Sequence, residues 1–547
     1  MQANQMFWLL ITFLMLRHSI QAAEGDATPT SDLRLRVECH DVFELTLTSE
    51  EVFDNPFTEA RVGATFVAPD GTTRKVGGFY FQGKEWKVRF VPNAVGAWRY
   101  GAEFIGKGVP VQSSGVFECV PSDRHGFVRL SKANPYRLEY NDGTPFYPIG
   151  QQWGWGVPPQ LGFDAPDNQM GLTDRETFMK EFTGATNLIR SQLGCGTNAG
   201  VALPLIARQG PLNRYDLENA QKLDESCRAI KKANWVQIMI FFQDMSLWGD
   251  GDTAFGKTRD TIAYKSLHGP NLPLIEQYLR YVVARWGVYV DIWELYNEDA
   301  FSPDAYVAHL AEVVRATDPY AHPITTNYER PTEPWCEIVC PHEYMAITDR
   351  ETPGHLSKEF ARLKSFGKPV LYTEFGNQAP LGNYDPVKFR VAAWTSFMNE
   401  AGLVFWNMSG TKVKPPSQRN PNAYLGPDTR QHFRVLAEFT RSLPVTLRPV
   451  FGVTDHQEIQ VWVLGNSQTT VLYCHNPIDY GKKTEPKDII VGAGPGEFNL
   501  TWIDPGTGTV LKEETVQGQG KLLTLKVLPF QVDIAARLER KKGHAEK

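Results

Sequence analysis

The feature that most constrains the fold is an alternation of short apolar segments with amphipathic segments between residues 122 and 443. The apolar segments have the length of buried strands, and several intervening segments place apolar residues at steps of three and four, which is typical of helices covering a parallel sheet. Eight such units occur, and no glycine-rich nucleotide motif follows the first strand, so we predict a closed (β/α)8 barrel. The predicted strands are 145–150, 187–192, 235–242, 288–295, 323–328, 337–344, 369–376 and 403–407, and the clearest helices are 216–233, 272–286, 304–317 and 355–366.

The segments on either side of the predicted barrel have a different pattern. Residues 24–121 and 444–547 alternate apolar and polar side chains with a period of two, interrupted by turn residues. This pattern predicts an N-terminal immunoglobulin-like β-sandwich and a second, C-terminal β-sandwich. The chain has 547 residues, more than one hydrophobic core normally spans. The predicted fold class is therefore α/β, a TIM barrel flanked by two β-sandwich domains.

The first 23 residues are predicted to be an export signal. The apolar stretch from Met6 to Leu16 is too short to span a bilayer comfortably, and the small residues Ala22 and Ala23 follow it. No Lys or Arg precedes this stretch and Gln21 is large for its position, so a retained anchor or a buried N-terminal helix is the alternative. No later segment is apolar enough to span a membrane. We expect an exported protein, periplasmic or secreted, with no stable membrane insertion.

The charge distribution argues against a nucleic-acid partner. The net charge is −6 and basic residues cluster only at the C-terminal end, so we expect no nucleic-acid partner.

The cysteines indicate neither a full set of disulfides nor a metal site. Seven cysteines cannot all pair, although Cys39 and Cys119 lie near the ends of the first predicted domain and could bridge it. Cys336, Cys340 and His342 are close in sequence, but they lack an evident fourth ligand. We therefore predict neither a metal nor an organic cofactor. The oligomeric state is not determined by the sequence.

Polar residues at the ends of the predicted strands define a candidate site, because active sites of (β/α)8 barrels lie at the C-terminal ends of the strands. Tryptophans near those ends are candidates for stacking on sugar rings. Glu294 is interpreted as a strand-interior residue or a member of a structural pair, and Glu343 is expected to face the helices. The candidate site residues are Gln152, Trp153, Arg190, Asp244, Trp248, Asn297, Glu298, Asn327, His342, Tyr344, Glu374 and Trp406.

Two of these residues are carboxylates on predicted strands four and seven, on opposite sides of the barrel mouth. Retaining glycoside hydrolysis needs such a pair about 5–5.5 Å apart, one acting as nucleophile and the other as acid and then base. Glu298 would have to begin protonated, a state that an ionised Glu374 nearby favours. Arg190 and Tyr344 could hold Glu374 ionised by hydrogen bonding. Asn297 could bind the sugar 2-hydroxyl, where binding strengthens in the transition state.

The motifs at these strand ends resemble those of the glycoside hydrolase clan A barrels. They are "LYNE" at 295–298, "HEY" at 342–344, "YTEFG" at 372–376 and "FWN" at 405–407. The resemblance implies that Glu298 is the acid/base and Glu374 the nucleophile, and that Arg190, Tyr344 and Trp406 are site residues. The chain departs from the family pattern after strand three, where it has Gln243 and Asp244 and family members often have His.

The flanking segments carry the same resemblance. "NPFTEARVGATFVAPDG", "GGFYFQG" and "VRFVPNAVGAWRY" resemble the sandwich domain of unknown function that precedes bacterial cellulase-like and apiosidase-like barrels. "TWIDPGTGTVL" resembles the small C-terminal sandwich that often follows them.

These observations together predict an exported retaining glycoside hydrolase that cleaves β-type bonds in a plant or algal wall polysaccharide or oligosaccharide. An inverting enzyme is the alternative within the same fold. A non-catalytic carbohydrate-binding or scaffold protein with a degenerate barrel is the alternative from another class. A metallohydrolase is least favoured, because "HEYMA" lacks the second His of the helical zinc motif. The sequence does not determine the sugar, the linkage, endo or exo action, or the role of the flanking sandwiches.

Overall fold

The structure, a computed structural model, describes residues 35–152, 175–193, 205–206, 211–243, 266–300, 302–344, 347–376, 385–405 and 425–541. The predicted export signal lies outside these residues. No helix in the described ranges is long and apolar enough to cross a membrane. The domain boundaries that the sequence predicts remain predictions.

Two sheets pack face to face in the N-terminal part of the chain. One has the strand order β1-β8-β7-β3-β4 and the other β2-β6-β5. Aromatic side chains from both sheets fill the space between them, and the Phe66 and Phe90 rings stack with centroids 4.0 Å apart. The strands are β1 (Leu35–Glu38), β2 (Phe43–Thr48), β3 (Arg61–Val67), β4 (Thr73–Gly77), β5 (Phe79–Gln82), β6 (Glu85–Phe90), β7 (Gly96–Ile105) and β8 (Val111–Val120).

Cys39 and Cys119 meet where β1 runs beside β8. Both are buried free thiols in this structure, so the bridge predicted as a possibility is not formed. Burial raises the pKa of each thiol, to about 12 for Cys119. Both side chains contribute to the core between the two sheets.

A small sheet leads into the central sheet, which has eight parallel strands in the order β16-β15-β14-β13-β12-β19-β18-β17. Helices cover this sheet, and the predicted helices at 272–286 and 304–317 agree with the structure in both bounds. The small sheet comprises β9 (Val128–Leu130), β10 (Leu138–Tyr140) and β11 (Pro145–Phe146). The central strands are β12 (Ile149–Gln152), β13 (Leu188–Gln192), β14 (Val236–Gln243), β15 (Ile292–Asn297), β16 (Ile324–Thr325), β17 (His342–Tyr344), β18 (Leu371–Gly376) and β19 (Gly402–Phe405). The helices are α1 (Arg175–Phe182), α2 (Leu217–Lys232), α3 (Leu272–Trp286), α4 (Asp304–Thr317), α5 (Thr352–Lys364), α6 (Pro386–Met398) and α7 (Pro427–Thr440).

The structure has the predicted eight parallel strands, but they do not close into a barrel within the described residues. The eight parallel strands form a curled sheet, but within the described residues no strand ladder joins β16 to β17. The two edges meet through single contacts instead. The Glu337 amide donates to the Ile324 carbonyl at 2.9 Å, and Asn327 Nδ2 donates to the Cys340 carbonyl at 2.8 Å. Pro341, which has no N–H to donate, directly precedes β17 and limits the pairing there.

A second pair of packed sheets follows α7. Their strand orders are β20-β22-β23-β28-β25-β26 and β21-β24-β27. Trp502, Phe498 and aliphatic side chains from both sheets form a shared core. This arrangement agrees with the predicted C-terminal sandwich. The strands are β20 (Arg448–Pro449), β21 (Gly452–Val453), β22 (Gln460–Gly465), β23 (Thr469–His475), β24 (Lys487–Gly492), β25 (Gly496–Ile503), β26 (Val510–Gly518), β27 (Leu522–Val527) and β28 (Asp533–Arg540).

A buried ion cluster attaches the N-terminal sheets to the central unit. Arg89 of β6 donates from both Nη atoms to the carboxylate of Asp224 on α2, each at 3.0 Å. Arg285 of α3 donates to the same carboxylate at 2.9 and 3.2 Å. Burial opposes ionisation of Asp224, but the two guanidinium groups outweigh it, so its pKa lies below its usual range.

At the junction with the C-terminal sheets, Arg390 of α6 pairs with Asp533 of β28. Its Nε and Nη2 donate to the two carboxylate oxygens at 3.0 and 2.9 Å. Tyr473 also donates to Asp533 at 3.0 Å. A buried charged pair therefore lies at each junction between the central unit and a flanking sandwich.

We predict that Asp224→Asn destabilises the protein by about 3–5 kcal/mol, because it removes the carboxylate that pairs with the buried Arg285 and leaves Arg89 with Glu44 as its carboxylate partner. Chemical denaturation followed by tryptophan fluorescence measures the change. Lys84→Ala is the control, because Lys84 pairs with Glu50 at an exposed surface, and it should change stability by no more than about 0.5 kcal/mol. Equal effects of the two substitutions would contradict the proposed role of the cluster.

Candidate active site

The C-terminal ends of five central strands bring predicted site residues together. Most of the site residues predicted from the sequence lie here, on or directly after β12, β13, β15, β17 and β18. Trp153, Asp244, Trp248 and Trp406 lie outside the described residues. The residues that meet are Gln152, Arg190, Asn297, Glu298, His342, Tyr344 and Glu374.

Arg190 is the centre of this site, and its side chain is wholly buried. Its Nε and Nη2 donate to the two carboxylate oxygens of Glu294 at 2.7 and 2.6 Å. Nη2 also donates to Asn297 Oδ1 at 2.7 Å. Nη1 donates to Glu374 Oε1 at 2.6 Å and to Gln152 Oε1 at 3.2 Å. A guanidinium has five N–H groups, so every donor of Arg190 has a partner.

The charges around Arg190 explain why it can be buried. Burial by itself would lower the pKa of its guanidinium. The carboxylates of Glu294 and Glu374 outweigh this effect and raise the pKa above its usual range. Arg190 is therefore a fixed positive charge inside the curled sheet.

Glu374 is held from two sides. Arg190 occupies Oε1, and the Tyr344 hydroxyl donates to Oε2. The pKa of Tyr344 lies well above its usual range, mainly because the hydroxyl is buried and also because Glu374 is negatively charged. Tyr344 therefore remains a protonated donor to the carboxylate. Only 6% of the Glu374 side chain is exposed.

Glu298 faces Glu374 and is more accessible, with 16% of its side chain exposed. Nδ1 of His342 lies 3.0 Å from Glu298 Oε1 and 3.7 Å from Glu374 Oε2. A carboxylate oxygen of Glu298, a ring nitrogen of His342 and a carboxylate oxygen of Glu374 all lie within 4.8 Å of one another. The structure thus brings together the two carboxylates chosen from the sequence.

A local irregularity turns two consecutive residues into the site. Along a regular strand, successive side chains point to opposite faces. Here the Asn327 amide donates to the Tyr296 carbonyl at 3.0 Å, while the Asn327 carbonyl accepts from the Asp299 amide at 2.8 Å. Asn297 and Glu298 therefore lie opposite one residue, as in a β-bulge. Glu298 has a φ of 56°, in the left-handed region, which lets its side chain reach His342 while Asn297 reaches Arg190.

The three clustered groups of Glu298, His342 and Glu374 are also the described residues that could hold a divalent cation. Their existing contacts offer a simpler explanation of the spacing. His342 Nδ1 is already within hydrogen-bonding distance of Glu298, and Glu374 already accepts from a cation, Arg190, and from Tyr344. A metal would have to displace these contacts. The arrangement favours a pair of carboxylates, one held by donors and one accessible.

Glu294 has a larger place in the site than the sequence indicated. Its pairing with Arg190 agrees with the structural-pair interpretation, but this pair also contacts Glu374 through the same guanidinium. The available signal was a carboxylate within an otherwise apolar buried strand, "IWELYN", which requires a buried partner. Glu343 faces the helices as expected, because His355 of α5 binds its carboxylate.

Two of the predicted substrate-binding residues, Gln152 and Asn327, also have structural contacts. Gln152 is fully buried and contacts Arg190. Asn327 is also fully buried, and its amide links the two sheet edges through the Cys340 carbonyl. Both residues therefore support the site through these contacts, and their binding of a sugar remains a prediction.

Comparison with known proteins supports this architecture. The model of a domain of unknown function, DUF5060, matches residues 36–105. No curated protein matches the chain. A proposed glycoside hydrolase from Bacteroides vulgatus ATCC 8482 has a similar structure, with a TM-score of 0.68 and 18% identity over 93% of this chain and 100% of that one.

Two further solved structures are similar. One is described as a glycoside hydrolase, with a TM-score of 0.54 and 14% identity over 76% of this chain and 97% of that chain. The other is a glycoside hydrolase family 5 protein from Bacteroides vulgatus ATCC 8482, with a TM-score of 0.53 and 12% identity over 77% and 95%. At these identities the likeness shows a shared fold.

The left-handed backbone at Glu298 leads to a prediction on stability. We expect Glu298→Gly to be more stable than Glu298→Ala by about 1 kcal/mol, because an alanine pays a steric cost at positive φ that glycine avoids. Thermal denaturation measures the difference. Ala316, exposed near the end of α4, is the control, because Ala316→Gly should lower stability, by no more than about 1 kcal/mol. If Glu298→Ala were the more stable variant, the backbone assignment at 298 would be wrong.

Proposed function

We propose that the protein is a retaining glycoside hydrolase with Glu374 as nucleophile and Glu298 as acid/base. The observation that carries the proposal is the approach of their carboxylate oxygens to within 4.8 Å at the C-terminal edge of the sheet. Retaining enzymes separate the two carboxyl groups by about 5–5.5 Å, whereas inverting enzymes need about 6.5–9.5 Å to admit a water molecule. The short separation favours retention over the inverting alternative.

The different surroundings of the two carboxylates support their different roles. Glu374 is almost fully buried and accepts hydrogen bonds from Arg190 and Tyr344, which fix its position. Glu298 is more exposed, and His342 Nδ1 lies 3.0 Å from its Oε1. It is therefore the carboxyl group better placed to exchange protons with a leaving group and with water.

In the first step, a carboxylate oxygen of Glu374 attacks the anomeric carbon while Glu298 donates its proton to the glycosidic oxygen. The bond between the anomeric carbon and that oxygen breaks, and a covalent glycosyl-enzyme forms. Tyr344 and Arg190 donate to Glu374 throughout, so the attacking group does not need to reorient.

In the second step, Glu298 is a carboxylate and removes a proton from a water molecule. The water oxygen attacks the anomeric carbon, the ester to Glu374 breaks, and Glu298 is protonated again. Two inversions give net retention. His342, 3.0 Å from Glu298, is placed to stabilise its ionised form between the steps.

Asn297 is assigned to the sugar 2-hydroxyl. Its Oδ1 accepts from Arg190 at 2.7 Å, so the opposite side of its amide, the NH2 group, is the one assigned to donate to the sugar. Hydrogen bonds at the 2-position strengthen in the transition state. Trp153, Trp248 and Trp406 are proposed as stacking surfaces and Asp244 as a polar contact, as the sequence predicts.

The proposed substrates are β-linked polysaccharides or oligosaccharides of plant or algal walls, and the predicted signal at residues 1–23 would export the enzyme to reach them. The motif resemblance to cellulase-like and apiosidase-like barrels supports this choice, as does the fold shared with proteins described as glycoside hydrolases. No cofactor takes part in the proposed reaction.

We predict that Glu374→Ala lowers the hydrolysis of a 2,4-dinitrophenyl β-glycoside by roughly 10³-fold or more, because the covalent intermediate can no longer form. Added sodium azide should restore turnover and give a glycosyl azide of inverted configuration, detected by NMR. The substrate is the best one in a panel of such glycosides. Glu343→Gln is the control, since Glu343 faces α5, and it should retain activity.

Glu298→Ala should give a different result. The dinitrophenyl glycoside should still form the glycosyl-enzyme, because its leaving group needs no proton, whereas wall glycans should not be cleaved. Azide should then give a product of retained configuration. Tight binding of wall glycans by the unmodified protein with no turnover of any glycan or glycoside would favour the carbohydrate-binding alternative and reject the proposed activity.

A further inference from the structure

Glu294 is a buried charge that lies too deep to touch a substrate. It belongs to β15, its side chain is wholly buried, and both its oxygens accept hydrogen bonds from Arg190. The proposed reaction gives Glu294 no proton to move and no bond to make. Its connection to the reaction passes through the guanidinium that it shares with Glu374.

The N–H groups of Arg190 are shared unequally among its four partners. Two of its five N–H groups donate to Glu294, one to Glu374, and the other two to the neutral groups of Asn297 and Gln152. One positive charge therefore faces two carboxylates. Charges interact strongly where water is excluded. A carboxylate that had a guanidinium to itself would therefore be a weaker nucleophile than one that shares the guanidinium with a second carboxylate.

We propose that Glu294 is a positioning residue that orients Arg190 and takes up part of its charge, so that Arg190 does not fully neutralise Glu374 and Glu374 can attack the anomeric carbon. This inference rests on the proposed function and adds a requirement to it. Glu374 needs an arginine whose charge is shared with a second carboxylate, and Glu294 is that carboxylate.

The other charged and titratable groups around Glu374 come from identified strands. Arg190 lies on β13, His342 and Tyr344 lie on β17, and Glu298 follows β15. The Cys340 thiol also lies near Glu294, and burial raises its pKa well above its usual value, so it adds no charge. Replacing Glu294 with a neutral residue thus removes one negative charge and leaves these groups in place.

The test is the pH dependence of kcat/KM for the 2,4-dinitrophenyl β-glycoside that the unmodified protein hydrolyses fastest. Because this leaving group needs no acid, the acid limb of the profile reports ionisation of the nucleophile. In Glu294→Gln we expect the acid limb to move to lower pH by about one unit, because Arg190 then interacts mainly with Glu374. We expect kcat to fall roughly 10-fold or more.

Two further variants separate this role from a structural one. Glu294→Asp keeps the charge but shortens the side chain, so the acid limb should shift in the same direction by roughly 0.3–0.5 units. Asp533→Asn removes the carboxylate from another buried arginine pair, with Arg390, far from the site residues in the sequence. It should lower the melting temperature and leave the acid limb unchanged.

An acid limb that stays in place in Glu294→Gln, with losses of stability and kcat like those of Asp533→Asn, would overturn the inference. If Glu294→Gln does not fold, the same criterion applies to Glu294→Asp. Failure of the unmodified protein to hydrolyse any glycoside in the panel would instead reject the proposed function, and the inference with it.

Discussion

The arrangement of the site depends on one buried positive charge, Arg190, whose five N–H groups are all engaged. A guanidinium without counter-charges would be very costly at this depth, so the surrounding strands must supply acceptors. Glu294 and Glu374 supply charge, and Asn297 and Gln152 supply neutral oxygens. Because these four residues come from three strands, satisfying one side chain fixes the relative position of β12, β15 and β18 around β13.

This constraint also explains why the two candidate carboxylates differ. Glu374 is held by Arg190 and Tyr344 and is nearly inaccessible, whereas Glu298 follows the strand end and is turned inward by a left-handed backbone. This difference suits a reaction that needs one fixed carboxylate and one carboxyl group that exchanges protons. The flanking sandwiches contribute no described residue to the pair, but buried arginine–aspartate contacts attach both of them to the central unit.

The sequence predicted the main elements because local patterns determine them. The helices at 272–286 and 304–317 have a clear apolar face, which made them predictable, and a proline lies close to the start of each. Arg190, Glu298, Tyr344 and Glu374 were predictable as strand-end residues that converge at one edge. The gap in pairing between β16 and β17, the bulge at Glu298 and the central role of Glu294 depend on hydrogen bonds between distant segments, which no local pattern records.

The most direct test of Glu374 as the nucleophile is to trap the covalent intermediate with a 2,4-dinitrophenyl 2-deoxy-2-fluoro-β-glycoside of the sugar that the protein hydrolyses, and to map the label by mass spectrometry. If Glu374 is the nucleophile, we expect one fluorosugar per chain, attached to the peptide that contains Glu374. Labelling of Glu298, or hydrolysis of the parent glycoside with inversion and no labelled peptide, would contradict it.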